Sequence, residues 1–289
     1  MKQIKALIRK EFLTHWGAML LPAWFTLGVI VTMVVGLIWA LIQGADISIF
    51  ANLKSFGGEY DKIVLWGLGL AGSSGLAMLA MLTGIGLADT ILNSSNKKRC
   101  EIFHLSQPVS LAKIVGVKYG LVTLGTYLQV IAISLAGVSV MGTYIAYKLH
   151  LSPGYAFTGM LQGLSGMILP FFFTCSLYWM FAGIFKNASF IKSMFSLGGI
   201  EIARLILSKT TVINFPSLSA YLLKLSGLGN GINVSFADKT VTSLGGGSAD
   251  AVINRAWAMA FDEYTWQRIL FSLIFFAVGY WFYSRRELN

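Results

Sequence analysis

Apolar residues run along this chain in long unbroken blocks, without the polar stripe that a water-soluble helix or strand carries. Residues 17–43, 63–88, 119–147 and 155–185 contain no Asp, Glu, Lys or Arg. A fifth block, 193–208, is apolar except for Glu201 and Arg204, and a sixth, 269–283, extends outward toward Trp266. A helix needs about 20 apolar residues to cross a bilayer core. The pattern predicts an all-α polytopic membrane protein with six transmembrane helices at about 17–43, 63–88, 119–147, 155–185, 193–208 and 266–284. Pro170 falls near the middle of the fourth, where a bend is tolerated among neighbouring helices. The first block is too long for a cleaved signal peptide, and no small-residue cleavage pattern follows it, so it is expected to remain. The whole of 1–289 reads as a single transmembrane domain.

Residues 1–16, MKQIKALIRKEFLTHW, form an amphipathic pattern. Ile4, Leu7, Ile8, Phe12 and Trp16 share one face, with Lys2, Lys5, Arg9 and Lys10 mainly on the others. Such a helix lies in the interface, its basic residues toward anionic lipid. A basic leader that only orients the first span is a compatible reading.

Lys and Arg set the orientation. With six spans, thirteen of them fall in the termini, 89–118 and the 186–192 turn, and seven in the longer segments opposite. Both termini and 89–118 are therefore expected to be cytoplasmic, and 209–265 extracytoplasmic. That long segment holds glycine-rich punctuation, an alternating stretch at 233–244 that suits a hairpin or an irregular loop, and a helix-like run at 249–261. Lys148 to Gly154 reads as a tight turn.

Composition sharpens the class. Only 12% of residues are charged, about half the share of a soluble domain. The net charge of +10 is accounted for by cytoplasmic Lys and Arg, so no nucleic-acid partner is expected. Cys100 and Cys175 are too far apart in sequence and setting for a disulfide framework. His15, His104 and His150 are scattered, and no pair has metal-ligand spacing. There is no G-x-x-x-x-G-K-[ST] phosphate loop, no G-x-S-x-G and no H-E-x-x-H. Gly67 to Gly72 matches G-x-G-x-x-G, but inside an apolar span it signals close helix packing rather than a dinucleotide. Gly116–Gly120 and Gly159–Gly163 carry the same meaning.

Two features carry candidate chemistry. Glu201 and Arg204 lie three apart and can meet on one helix face. An ionised side chain at mid-membrane costs about 2.5–3.5 kcal/mol on insertion scales. The pair is either a structural element of the bundle or the lining of a translocation path, and the absence of a second intramembrane acid favours structure. The other feature is the loop 97–119, KKRCEIFHLSQPVSLAKIVGVKY. Asp89 closes span two, and the polar run 93–96 reads as a turn. Lys97, Lys98 and Arg99 then flank a short helix containing Cys100, Glu101, Phe103, His104 and Leu105, which Pro108 ends. By pattern it is either a topology signal or a helix that docks on a cytoplasmic partner.

At this loop the chain resembles the membrane subunits of ABC-2 type transporters. The shared features are the basic run, Glu101, the apolar 102–105, Pro108-Val109-Ser110, Lys113 and Lys118. The interfacial N-terminal helix, six spans with both ends inside, a second short cytoplasmic turn at 185–193 and a large outer segment before span six are also similar. The resemblance implies an ATP-driven permease, an exporter, coupled to separate ATPase subunits through a helix at 97–108. Arg99, Glu101, Phe103, Leu105 and Pro108 would carry that coupling, with Glu101 the charged contact. It further implies a second permease copy or a homologous chain, membrane lipid as surroundings, and a bacterial cytoplasmic membrane as location. No catalytic residue and no cofactor are expected on this chain, with ATP and Mg on the partner. The alternative is a stand-alone secondary transporter or channel built on Glu201 and Arg204.

Overall fold

The computed structural model describes residues 2–21, 23–24, 26–28, 31–32, 35, 39, 58–97, 110–185, 188–210, 216–227, 249–257 and 261–288. Every regular element among them is helical. They are α1 (Lys2–Met19), α2 (Gly58–Lys97), α3 (Leu111–Leu149), α4 (Gly154–Ile184), α5 (Ser189–Thr210), α6 (Leu218–Leu225), α7 (Ala249–Arg255) and α8 (Thr265–Leu288). Three of them, over Glu59–Asn93, Leu111–Leu149 and Gly154–Ile184, are long and apolar enough to cross a membrane. The described residues between 21 and 39 are helical, and the rest of the first expected span lies outside the described set.

α4 is the central helix. Its residues are buried on most sides, among them Phe171, Phe173, Cys175, Ser176 and Trp179. The helix runs on through Pro170, which a bundle of neighbouring helices tolerates. α2 packs along α4 in the same direction, with backbones almost touching. A Cβ on Gly69 would overlap the Ala156 carbonyl, one on Gly159 would overlap that of Trp66, and one on Gly163 would lie 2.8 Å from that of Leu70. Small residues permit this approach, which gives van der Waals contact where no hydrophobic force between helices operates. The Gly159–Gly163 pair thus packs as its spacing suggests. Gly116 and Gly120 have nothing within 4 Å of an added Cβ, so the other pair makes no such seam within the chain.

α3 runs antiparallel to α4. Tyr127 donates to the Leu164 carbonyl and Tyr119 pairs with Ser176 at 2.6 Å. Two π turns, Leu121–Gly125 and Val138–Gly142, interrupt α3. Each wide turn adds a residue, and the inward stripe through Val115, Lys118, Val122, Thr126, Val130 and Ser134 stays on the α4 side.

Two expectations change. The second span does not close at Asp89. α2 is 40 residues long, about 60 Å at 1.5 Å per residue, twice a bilayer core. The polar run 93–96 is helix, not turn. Asn93 is fully buried and donates to Asp89 at 2.8 Å, while Ser189 donates to the same Asp89 oxygen at 2.7 Å. Tertiary partners, not capping, satisfy these side chains, so the helix continues. The second change is in α1. Leu7 turns inward with Glu11, His15 and Met19, and leaves Ile4, Ile8, Phe12 and Trp16 exposed. The inward line mixes apolar with polar groups, and His15 lies 3.7 Å from Glu11. The outward ridge is the apolar one, the arrangement of a helix whose surroundings are lipid.

Other expected features lie where the sequence put them. Helices meet at a tight turn from His150, in the left-handed region at φ 55°, to Gly154. The expected 185–193 turn is shorter than that: α4 ends at Ile184 and Ser189 already begins α5, so 189–193 are helix. Of the helix-like run at 249–261, Ala249–Arg255 is α7. The alternating stretch at 233–244 lies outside the described residues.

Candidate functional site

Polar side chains of the long helices converge on α6 and α7, two short helices among the described residues of the 209–265 segment. At the start of α6, Ser217 is the N-cap and accepts from the Ala220 N–H at 3.2 Å. Glu201 of α5 reaches across to the same end. It accepts from the Ser217 hydroxyl at 2.9 Å and from the Ser219 N–H at 3.3 Å, the latter one of the N–H groups a helix start leaves without an intrahelical partner. Arg204 donates to Glu201 at 2.8 Å. The i, i+3 pair expected from the sequence is formed, and its acid is engaged in holding a neighbouring helix.

At the other end of α6, Arg268 of α8 donates through Nε to the Leu225 carbonyl at 2.8 Å and through Nη2 to that of Lys224 at 3.3 Å. Its fork is closed by Asp262, with Nη1 to Oδ1 at 2.7 Å and Nη2 to Oδ2 at 2.9 Å. Arg268 is only 3% exposed. A buried guanidinium needs this kind of bidentate partner to offset its lost hydration. Asp262 also accepts from the Tyr264 N–H at 3.2 Å, so one carboxylate both organises the start of α8 and pairs with Arg268. Tyr221 donates to Gln267 at 2.9 Å, a further link between α6 and α8.

α7 is held the same way. Glu59 of α2 accepts from the Ala249 N–H at 2.8 Å at its first residue. Gln162 of α4 donates to the Ile253 carbonyl at 2.7 Å in its last turn, and accepts from the Trp66 indole at 2.5 Å. Each short helix is therefore gripped at its N-terminus by a carboxylate and at its C-terminus by a donor, as the helix dipole favours.

The α6 clamp lies deep. Gly279 of α8 packs on Gly183 and Trp179 of α4, and Phe275 packs on Phe173. Counting back along both helices sets Arg268 about 16 Å above the Gly183 contact, level with the middle of α4. Gly227, in the left-handed region at φ +75°, confirms the depth: an added Cβ would lie 3.2 Å from the Pro170 ring. Part of the segment expected to be extracytoplasmic, 218–227, thus lies level with the middle of the central helix.

Arg268, Asp262 and Gln162 were not singled out in the sequence. Arg268 had a readable signal: an arginine at the edge of an apolar run with an acid six residues before it. Gln162 had none, because a single glutamine in an apolar span does not show what it faces. Lys118, assigned by sequence to the basic loop, is instead 2% exposed in the second turn of α3, with Nζ 5.8 Å from the Tyr283 ring centre. Of the residues expected to couple to a partner, Arg99, Glu101, Phe103, Leu105 and Pro108 all lie outside the described residues. Among the described residues, no three His, Cys, Asp or Glu side chains group as metal ligands.

The apolar helices and their buried polar clamps define a helical, multi-pass membrane protein. Compared with known proteins, the chain matches no family, no curated protein and no solved structure.

Proposed function

We propose that this chain is the membrane-spanning permease subunit of an ATP-driven transporter of the ABC-2 type, an exporter that works with separate cytoplasmic ATPase subunits and a second permease. The reading takes six spans with both termini cytoplasmic. The observation that carries it is the length of α2. This helix runs unbroken from Gly58 to Lys97, and α3 starts at Leu111, so the 98–110 connection hangs between two long helices. α2 also makes the closest interface of the bundle, with α4. A push on that connection would pass along α2 to α4 as a rigid-body shift, the way a two-state transporter uses a partner's motion. ATP and Mg would sit on the partner, since this chain has no phosphate loop.

Replacing Glu101 by Lys tests the reading. ATP-dependent transport should fall while membrane insertion stays intact, and unchanged coupled transport in that variant would sink the assignment of Glu101.

A stand-alone secondary transporter or channel is the second reading. It gains from Asp262, a second acid, which pairs with the Arg268 that holds the end of α6 opposite to Glu201. It requires transport driven by a proton gradient with no ATPase present.

A further inference from the structure

α5 is packed like an arm rather than a bundle member. Its buried residues, Ser189 and Ser193, both lie in its first two turns. There the Ser189 hydroxyl donates to Asp89 and Phe190 stacks on Tyr178, with ring centres 5.8 Å apart. From Met194 to Thr210 no residue of α5 is buried, and Ile200, Ile202, Leu205 and Ile206 are exposed. Between the packed start and the exposed outer half stand Gly198 and Gly199, with nothing within 4 Å of an added Cβ on either. Adjacent glycines are where helices bend, because they lack the side chains that stiffen the turn. Immediately beyond them is Glu201, whose carboxylate fastens α5 to the start of α6. α6 is in turn fixed to α8 by Arg268.

We propose that the outer half of α5 is a hinged arm, latched to α8 through α6 by Glu201, and bending at Gly198–Gly199 when the latch opens. The latch is polar and the hinge has no side chains to repack, so opening exchanges a few hydrogen bonds and leaves the core clusters of α2, α3 and α4 unaltered. Because both ends of α6 are gripped by charged groups, the latch sets the spacing between α5 and α8. The device does not depend on which energy source drives the protein.

The test uses the full-length chain in lipid nanodiscs with Cys100→Ser, Cys175 being fully buried. Spin labels at Leu205→Cys and Leu270→Cys, both exposed, report the α5–α8 distance. Labels at Ile191→Cys and Leu82→Cys report the packed start of α5. The unaltered latch gives one narrow distance for each pair. Glu201→Ala should add a population several ångströms longer for the 205–270 pair and leave the 191–82 pair unchanged. Gly198→Ala with Gly199→Ala in that background should remove the added population. Ser217→Ala, a milder loss, should give the same population at lower occupancy and serves if Glu201→Ala does not insert. An unchanged 205–270 distance in the latch variants, equal shifts in both pairs, or a long population that survives the alanine pair would overturn the proposal.

Discussion

Glu201 and Arg268 grip opposite ends of the same eight-residue helix. The carboxylate of Glu201 takes the Ser217 hydroxyl and the Ser219 N–H at the start of α6, and the guanidinium of Arg268 takes the Leu225 and Lys224 carbonyls at its end. Isolated helices this short are not stable. α6 persists because the partial charges at its termini meet full charges of opposite sign. The two residues come from helices 67 positions apart in sequence, so the short helix fixes a long-range distance that apolar packing alone would leave loose.

Arg268 should be the costliest polar residue to remove. Arg268→Gln takes the guanidinium donors from Asp262, whose side chain is 25% exposed, and from two carbonyls, and a loss of about 1–3 kcal/mol is expected. Adding Asp262→Asn should cost little more, since the two act as one unit. Unfolding in mixed detergent micelles would measure both, and additive losses would show that the groups act independently.

The two small-residue pairs should respond in opposite ways. Gly159→Ala forces a Cβ into the Trp66 carbonyl, and overpacking of this kind costs about 1–3 kcal/mol. Gly116→Ala meets open space and should be neutral or slightly stabilising, because alanine is the better helix former by up to about 1 kcal/mol. Melting of the purified variants distinguishes them. Equal losses at Gly159 and Gly116 would contradict the packing described for α2 and α4.

Gln162→Leu should free α7. The substitution orphans the Ile253 carbonyl and the Trp66 indole, an expected loss of about 1–3 kcal/mol for each group left buried. Amide exchange in 249–255 should rise strongly while exchange in 218–225 stays as it was. A rise in both segments would mean that the two short helices are fastened together and not separately.

The face that α1 turns outward is open to a direct check. Spin labels at Ile8 and Phe12 should be reached by oxygen from the lipid phase, and labels at Leu7 and His15 should be shielded from both oxygen and aqueous nickel. If Ile8 and Phe12 respond to the aqueous reagent instead, the exposed ridge faces water and needs a protein cover.

The class of the protein was legible in the uncharged runs, because a bilayer rewards length and apolarity over any finer pattern. The Glu201–Arg204 pair was legible too, since helical spacing fixes which side chains meet. What each pair holds was not: the partner of Glu201 is Ser217, which the sequence placed in an outer loop. The run through Asn93 read as a turn because Ser and Asn favour turns locally. The Asp89 carboxylate and Ser189 override that preference from outside the segment. The α1 face was misjudged at Leu7 because in lipid the apolar side of a helix is not the inward one.

As the proposed permease, this chain would transport only with a separate ATPase. Purification of the tagged chain from native membranes in mild detergent, followed by an assay of Mg-ATP hydrolysis in the eluate, tests it most directly. A phosphate-loop ATPase should co-elute in stoichiometric amount with the unaltered chain and be lost with Glu101→Lys. A chain that elutes without ATPase activity, yet moves its substrate down a proton gradient when reconstituted alone, would contradict it.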